Sequence, residues 1–173
     1  MTDEALPDDP DRDALLDDER LTLMGLFSES WSGLTRQIEQ RLKDECNLSA
    51  LWFVLLLRIA RSPGGRLRMS DLATQMGLSP SGLTRAVDRL EAAGYVERLA
   101  CPSDRRGAFA TLTAEGREVI RSALGPHLRH IDELLLCVLS PRELDELAAI
   151  LRKVRDHVNP AAAQPPEPVS ETQ

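Results

Sequence analysis

A chain of 173 residues suffices for one domain with a sizeable core, or for a core with protruding helices. It has no run of 18 apolar residues and opens on acidic "MTDEALPDDPDRDALLDDER", which argues against a membrane span or an export signal and points to the cytoplasm. The formal charge of −7 resides in residues 1–20, where nine acids face two arginines, while the stretch from Arg66 to Arg106 holds seven arginines against five acids, so net charge does not exclude a nucleic-acid partner.

Residues 1–14 and the Pro/Ala-rich tail 159–173 hold almost no large apolar side chain and are predicted to be disordered. From about Leu21 the spacing of Phe27, Trp31, Leu34, Ile38 and Leu42 predicts one face of a long amphipathic helix, with Cys46 a small apolar residue near its end. "LSALWFVLLLRIARS" is apolar nearly all round and stops at "PGG", as an enclosed core helix does. Ser70 is positioned to cap "DLATQM", which Gly77 ends; Ser79 caps the next helix, with Pro80 at its first position and Gly94 after its end. That helix should bury Leu83, Val87 and Leu90 and turn Ser81, Thr84, Arg85, Asp88 and Arg89 outward.

A hairpin about residue 104 follows. Thr113 then caps a long helix bearing Val119, Ile120, Leu124, Leu128, Ile131, Leu135 and Val138 on one side, with a kink expected at Gly125-Pro126. Ser140-Pro141-Arg142-Glu143 reads as a capping box, and Leu144, Leu147, Leu151, Val154 and Val158 behind it form a seam in 3-4 alternation that needs a partner helix. The organisation expected is a disordered segment 1–14, a long N-terminal helix in 15–48, a domain of short helices and a hairpin in 49–113, long C-terminal helices in 114–158 and a tail 159–173. Phe27, Leu34, Leu144, Leu147, Leu151 and Val154 are the candidate dimer contacts.

Two short helices joined by a Gly-containing turn, the second opening with hydroxyl side chains and carrying outward arginines, make a helix-turn-helix. Ser79, Ser81 and Thr84 suit base edges or phosphates, Arg85 can reach guanine O6 and N7, and Arg89 can hold a phosphate. Taken alone, such a face is an ordinary polar helix surface. The hairpin shifts the balance, because a wing beside the second helix carries its tip along the duplex, where a narrow minor groove attracts an inserted arginine. Arg106 is the candidate for insertion, and Asp104 would hold the turn by pairing with a neighbouring arginine. The candidate DNA contacts are therefore Ser70, Ser79, Ser81, Thr84, Arg85, Arg89, Asp104, Arg105 and Arg106.

In "LRMSDLATQMGLSPSGLTRAVDRLEAAGYVER" and in "PSDRRGAFATLTAEGR", with its Asp-x-Arg wing followed by Leu-Thr and a glycine, the chain strongly resembles the MarR family of bacterial transcriptional regulators, from about residue 20 to 157. The resemblance implies a mainly α fold with a small β wing, a winged helix-turn-helix domain flanked by long dimerisation helices. It also implies a homodimer on pseudo-palindromic double-stranded DNA, usually a repressor released by a small ligand or an oxidant, and neither an enzyme nor a cofactor protein. Glycine at 82 and at 107 departs from the commoner side chains at those positions.

A small-molecule effector is expected between the DNA-binding lobe and the dimer helices. Aromatics are scarce in this chain, and Trp31, Trp52 and Phe53 fall on two helices expected to pack together, with Arg36, Arg41 or Arg58 available to an aromatic carboxylate. All three serve equally as core filler. Cys101 lies in the wing near Arg98, Arg105 and Arg106, which permits a thiol-based redox sensor, although a small strand residue is the plainer reading. A winged-helix module for protein partners would need an exposed apolar patch instead of the hydroxyl and arginine face. The cysteines are odd in number and lack CxxC spacing, and His127 and His130, three apart, resemble a metal pair only weakly, so reduced thiols, surface histidines and no metal are expected.

Overall fold

The computed structural model describes residues 15–101 and 104–163; the side chains of 104–106, 161 and 163 lie outside that description. The predicted disordered segment 1–14, the hairpin residues Pro102 and Ser103 and the tail from 164 onward also fall outside it. The described residues are mostly helical with a small antiparallel sheet, as the winged-helix expectation requires. The chain divides into two compact units, to Gln37 and from Ile38, and the boundary falls within helix α1 (Glu19–Cys46).

In the first unit α1 displays Leu21, Leu23, Met24, Leu26, Phe27 and Trp31, each more than half exposed. Asn47 ends the helix at φ 52°, a left-handed conformation that a short amide side chain tolerates. Ser49 then caps α2 (Ala50–Arg61) by accepting from Trp52 N at 3.2 Å.

The core of the second unit is built on α2, whose Phe53, Leu55, Leu56 and Ile59 are buried. Around them pack Leu42 of α1, Leu72 of α3 (Met69–Met76), Leu83, Val87 and Leu90 of α4 (Pro80–Ala92), and Ile120 and Ala123 of α5 (Ala114–Leu134). The sheet order is β1 (Arg66–Arg68), β3 (Asp104–Leu112), β2 (Val96–Cys101). Leu67 faces Ala110 and Val96 faces Leu112 in antiparallel register, and a bulge falls between Ala100 and Cys101. Strand β1 had no counterpart in the sequence reading, because three residues carry no measurable alternation.

Thr113 caps α5, accepting from Gly116 N at 3.0 Å. This helix runs without a break through Gly125-Pro126 and stops at Leu134; Leu136–Val138, expected to continue it, form a 3-10 turn. The capping box of Ser140 and Glu143 opens α6 (Pro141–Val158). Pro160–Ala163, at the start of the expected tail, make a further 3-10 turn with Ala162 N donating to Asn159 O at 3.0 Å.

His127 and His130, expected at the surface, lie inside the fold. His130 is only 2 % exposed, its Nε2 lying 2.8 Å from Glu45 Oε1, and His127 is half-buried with its ring centroid 4.3 Å from that of Phe53. Burial, and then the neighbouring His130, push His127 below the ordinary histidine pKa. Their three-residue spacing places both on the inward side of α5, which a count of polar residues does not reveal.

Candidate nucleic-acid interface

The turn between α3 and α4 forms because Gly77 takes φ 62°, freeing Leu78 N to donate to Ala73 O at 3.0 Å. Ser79 then starts α4, its Oγ accepting from Gly82 N at 3.1 Å and lying 3.3 Å from Ser81 Oγ. Leu83, Ala86, Val87 and Leu90 anchor α4 in the core, and this orientation leaves Ser81, Thr84, Arg85, Asp88 and Arg89 on the outside as expected.

The hydroxyls are partly committed. Thr84 Oγ1 donates to Pro80 O at 2.8 Å, so toward a base edge it presents lone pairs and suits an adenine or cytosine amino group better than a phosphate. Ser70 does not cap α3; Arg68 holds that position, and Ser70 Oγ donates to Asp71 Oδ1 at 3.1 Å inside the first turn. The reason is that β1 runs directly into the helix and starts it earlier than the serine. Arg85 and Arg89 are exposed and engage no acceptor among the described residues.

Beside α4 the β2–β3 hairpin forms the wing. Asp104, Arg105 and Arg106 begin β3 at the tip end, and their side chains lie outside the described residues. Cys101, at the bulge, is 5 % exposed. Arg66 and Arg68 hold their guanidinium carbons 5.7 and 5.6 Å from the Phe109 ring centroid, placing two cations on the outer strand of the same sheet. Sequence reasoning missed Arg98 of β2, which binds acceptors on α4 seven to fourteen residues earlier; no local spacing signals such a partner.

Of the aromatic trio, Trp52 borders a surface cleft of about 400 Å³, with Glu39, Lys43, Asn47, Leu48, Ser49 and Arg89. Its ring meets Tyr95 edge-on, centroids 6.0 Å apart. Phe53 is sealed in the core, and Trp31, 61 % exposed, belongs to the first unit. Nor do the expected arginines line this cleft. Arg41 pairs with Glu133, Arg58 bonds Gln75 Oε1 at 3.2 Å, and Arg36 is in the first unit, so Lys43 and Arg89 are the cations at hand. Among the described residues no group of three His, Cys, Asp or Glu side chains could hold a metal ion.

A MarR family model matches residues 47–107, which take in the helix-turn-helix, β2 and the start of β3. Transcriptional repressor MprA of Escherichia coli is 32% identical over 136 residues, covering 79% of this chain and 76% of that protein. Among solved structures, AbsC of Streptomyces coelicolor, a MarR family transcriptional regulator, aligns with a TM-score of 0.76 at 34% identity over 82% of this chain and 95% of that one. Sco3205 from the same organism, crystallised with DNA, aligns with a TM-score of 0.76 at 33% identity over 88% of this chain and 93% of its own.

Proposed function

Because the chain belongs to the MarR family of transcriptional regulators, we propose that it acts as a homodimeric repressor on a pseudo-palindromic operator and is released by a small aromatic ligand. Transcription regulation and DNA binding follow from the family; the dimer, the sign of regulation and the effector are the proposal. The observation that carries it is the outer face of α4, where Ser81, Thr84, Arg85 and Arg89 stand clear of the core next to an antiparallel wing. MprA is a repressor, which supports that sign of regulation here. Sequencing the genomic fragments that the purified protein retains tests the reading; a set without a shared inverted repeat would overturn it.

Ser70, Ser79, Ser81, Thr84, Arg85 and Arg89 belong to the helix contacts in this reading, and Asp104, Arg105 and Arg106 to the wing. Arg106→Ala is expected to weaken operator binding by about 1–3 kcal/mol if the residue enters a groove, with circular dichroism unchanged. Anisotropy titrations at one fixed salt concentration check this, and a folded variant that binds as tightly as wild type rules the contact out.

The effector site we place at the Trp52 cleft. It joins an aromatic wall to two cations, one of them Arg89 of the recognition helix, so occupancy by an aromatic carboxylate would occupy a phosphate-contacting residue. Such a ligand must bind the DNA-free form more tightly, and excess operator must weaken it by the same factor. Titration with planar carboxylates should quench tryptophan fluorescence to saturation in parallel with release from DNA, and Trp52→Leu should abolish the quenching. Quenching that survives Trp52→Leu and is lost in Trp31→Leu would move the site to the first helix. A thiol switch at Cys101 would first require exposure of a buried residue; peroxide-dependent thiol labelling is its test.

A further inference from the structure

We propose that Arg98 is a positioning residue for DNA recognition, a clip that sets the angle of the wing against the recognition helix. The inference rests on the DNA-binding reading of α4 and its wing.

Arg98 is the third residue of β2, held by pairing with Ala110 of the central strand. Its Nη2 lies 2.6 Å from Asp88 Oδ1 and donates to Thr84 O at 3.1 Å, while Nη1 donates to Glu91 Oε2 at 2.9 Å. The Arg98 backbone N–H donates to the other oxygen of the same carboxylate, Glu91 Oε1, at 3.1 Å. Thr84, Asp88 and Glu91 stand at i, i+4 and i+7, a single stripe along α4. One planar guanidinium thus grips two turns of the recognition helix, and the backbone bond fixes the strand to the same helix. A lysine ammonium, a point donor, could not span these acceptors in one geometry.

The groups involved are partly exposed, Arg98 at 27 % and the two acids at 52 % and 40 %, so the ion pairs add little to folding stability. Their effect is on geometry. The stripe that faces Arg98 is adjacent to Ser81 and Arg85, which remain outward, and the hairpin leading from Arg98 carries the tip at Asp104. A wing free to pivot would lose its match to the minor groove while α4 sits in the major groove. The clip also neutralises two carboxylates that would otherwise face the phosphates.

Asp88→Asn and Glu91→Gln each remove a negative charge beside DNA, and electrostatics alone would tighten binding. The clip predicts the reverse for a duplex enriched from random-sequence DNA by the wild-type protein, a loss on the order of tenfold, comparable to one mismatched base pair. Affinity for poly(dI-dC) should hold or rise, and the salt dependence should stay as in wild type. Arg98→Lys and Arg98→Ala should reproduce the loss, and adding Glu91→Gln to Arg98→Ala should bring little more. In the free protein, hydrogen exchange in residues 96–112 should quicken in Glu91→Gln while residues 50–61 stay as protected as in wild type.

Tighter or unchanged binding of the selected duplex by Asp88→Asn and Glu91→Gln would overturn the clip. So would a salt slope lowered by about one in Arg98→Ala, with equal losses on both DNAs, the signature of a phosphate contact. Failure of the wild-type protein to enrich any duplex would instead sink the DNA-binding reading, and the exchange measurement would still report on the clip in the free protein.

Discussion

Ending the chain after Leu139 is expected to abolish both dimerisation and operator binding. The cut removes α6, whose Leu144 and Leu147 are half-buried and whose Leu151, Val154 and Val158 are exposed, at 43, 48 and 70 %. An isolated helix of 18 residues with such a seam needs a second apolar surface, and each large side chain that finds one contributes about 1.5–3 kcal/mol. The exposed residues of the first unit, Phe27 and Trp31 among them, offer matching material on a second copy. Loss of DNA binding follows from geometry. Two recognition helices reach successive major grooves only when held about 34 Å apart, and a monomer gives up the second half-site altogether. Sedimentation and anisotropy on the truncated chain check both halves. Leu151→Lys with Val154→Lys should give the same result in a chain of full length, since neither residue contributes to the core of the second unit. A truncated protein that sediments as a dimer and binds an inverted repeat would refute the assignment.

Gly116→Ala is expected to cost about 3 kcal/mol of stability or more, at the top of the usual range for overpacking. A Cβ at Gly116 would stand 1.9 Å from Tyr95 O, 2.8 Å from Tyr95 C and 3.1 Å from Tyr95 Cα, all backbone atoms. They cannot yield easily. Tyr95 O accepts from Thr113 N at 3.1 Å, and Thr113 Oγ1 donates to Gly94 O at 2.6 Å while also capping α5, so the segment from α4 to β2 is stapled to the first turn of α5. Relief of the clash would open that staple and disturb the base of the wing. Thermal unfolding should fall by roughly 2–4 °C per kcal/mol lost for a chain of this size. Gly125→Ala serves as the control in the same helix, because nothing lies within 4 Å of its added methyl. Equal melting of Gly116→Ala and wild type would mean that the two backbones do not approach as described.

The capping positions show what was legible in advance. Ser79, Thr113 and Ser140 were each read as helix starts from a hydroxyl ahead of an apolar period, and each accepts the backbone bond expected of it. Gly77 and Gly94 were read as stops, and both have positive φ. The outward set on α4 and the apolar stripes of α1 and α6 were equally visible, because helical periodicity sorts faces within four residues. With the Asp-x-Arg wing, these local signals were enough to identify the fold and to single out α4 as the helix proposed to face DNA.

Other features depend on partners far along the chain, and no spacing encodes them. His130 looked like a surface residue until the fold set it 2.8 Å from Glu45, 85 positions away. Phe53 and Trp52 are adjacent in sequence, yet one is sealed against His127 and the other opens on a cleft, since a core helix turns successive residues about 100° apart. Ser70 lost its capping role to the strand that runs into α3, and that strand exists only because β3 is there to pair with it. Arg98 read as one more charge in a basic stretch, but its acceptors on α4 converge only when the hairpin folds back on that helix. Caps and stripes are settled by energies acting over one or two turns of chain, whereas burial of a polar group and the reach of a guanidinium are settled by which distant segments share the core.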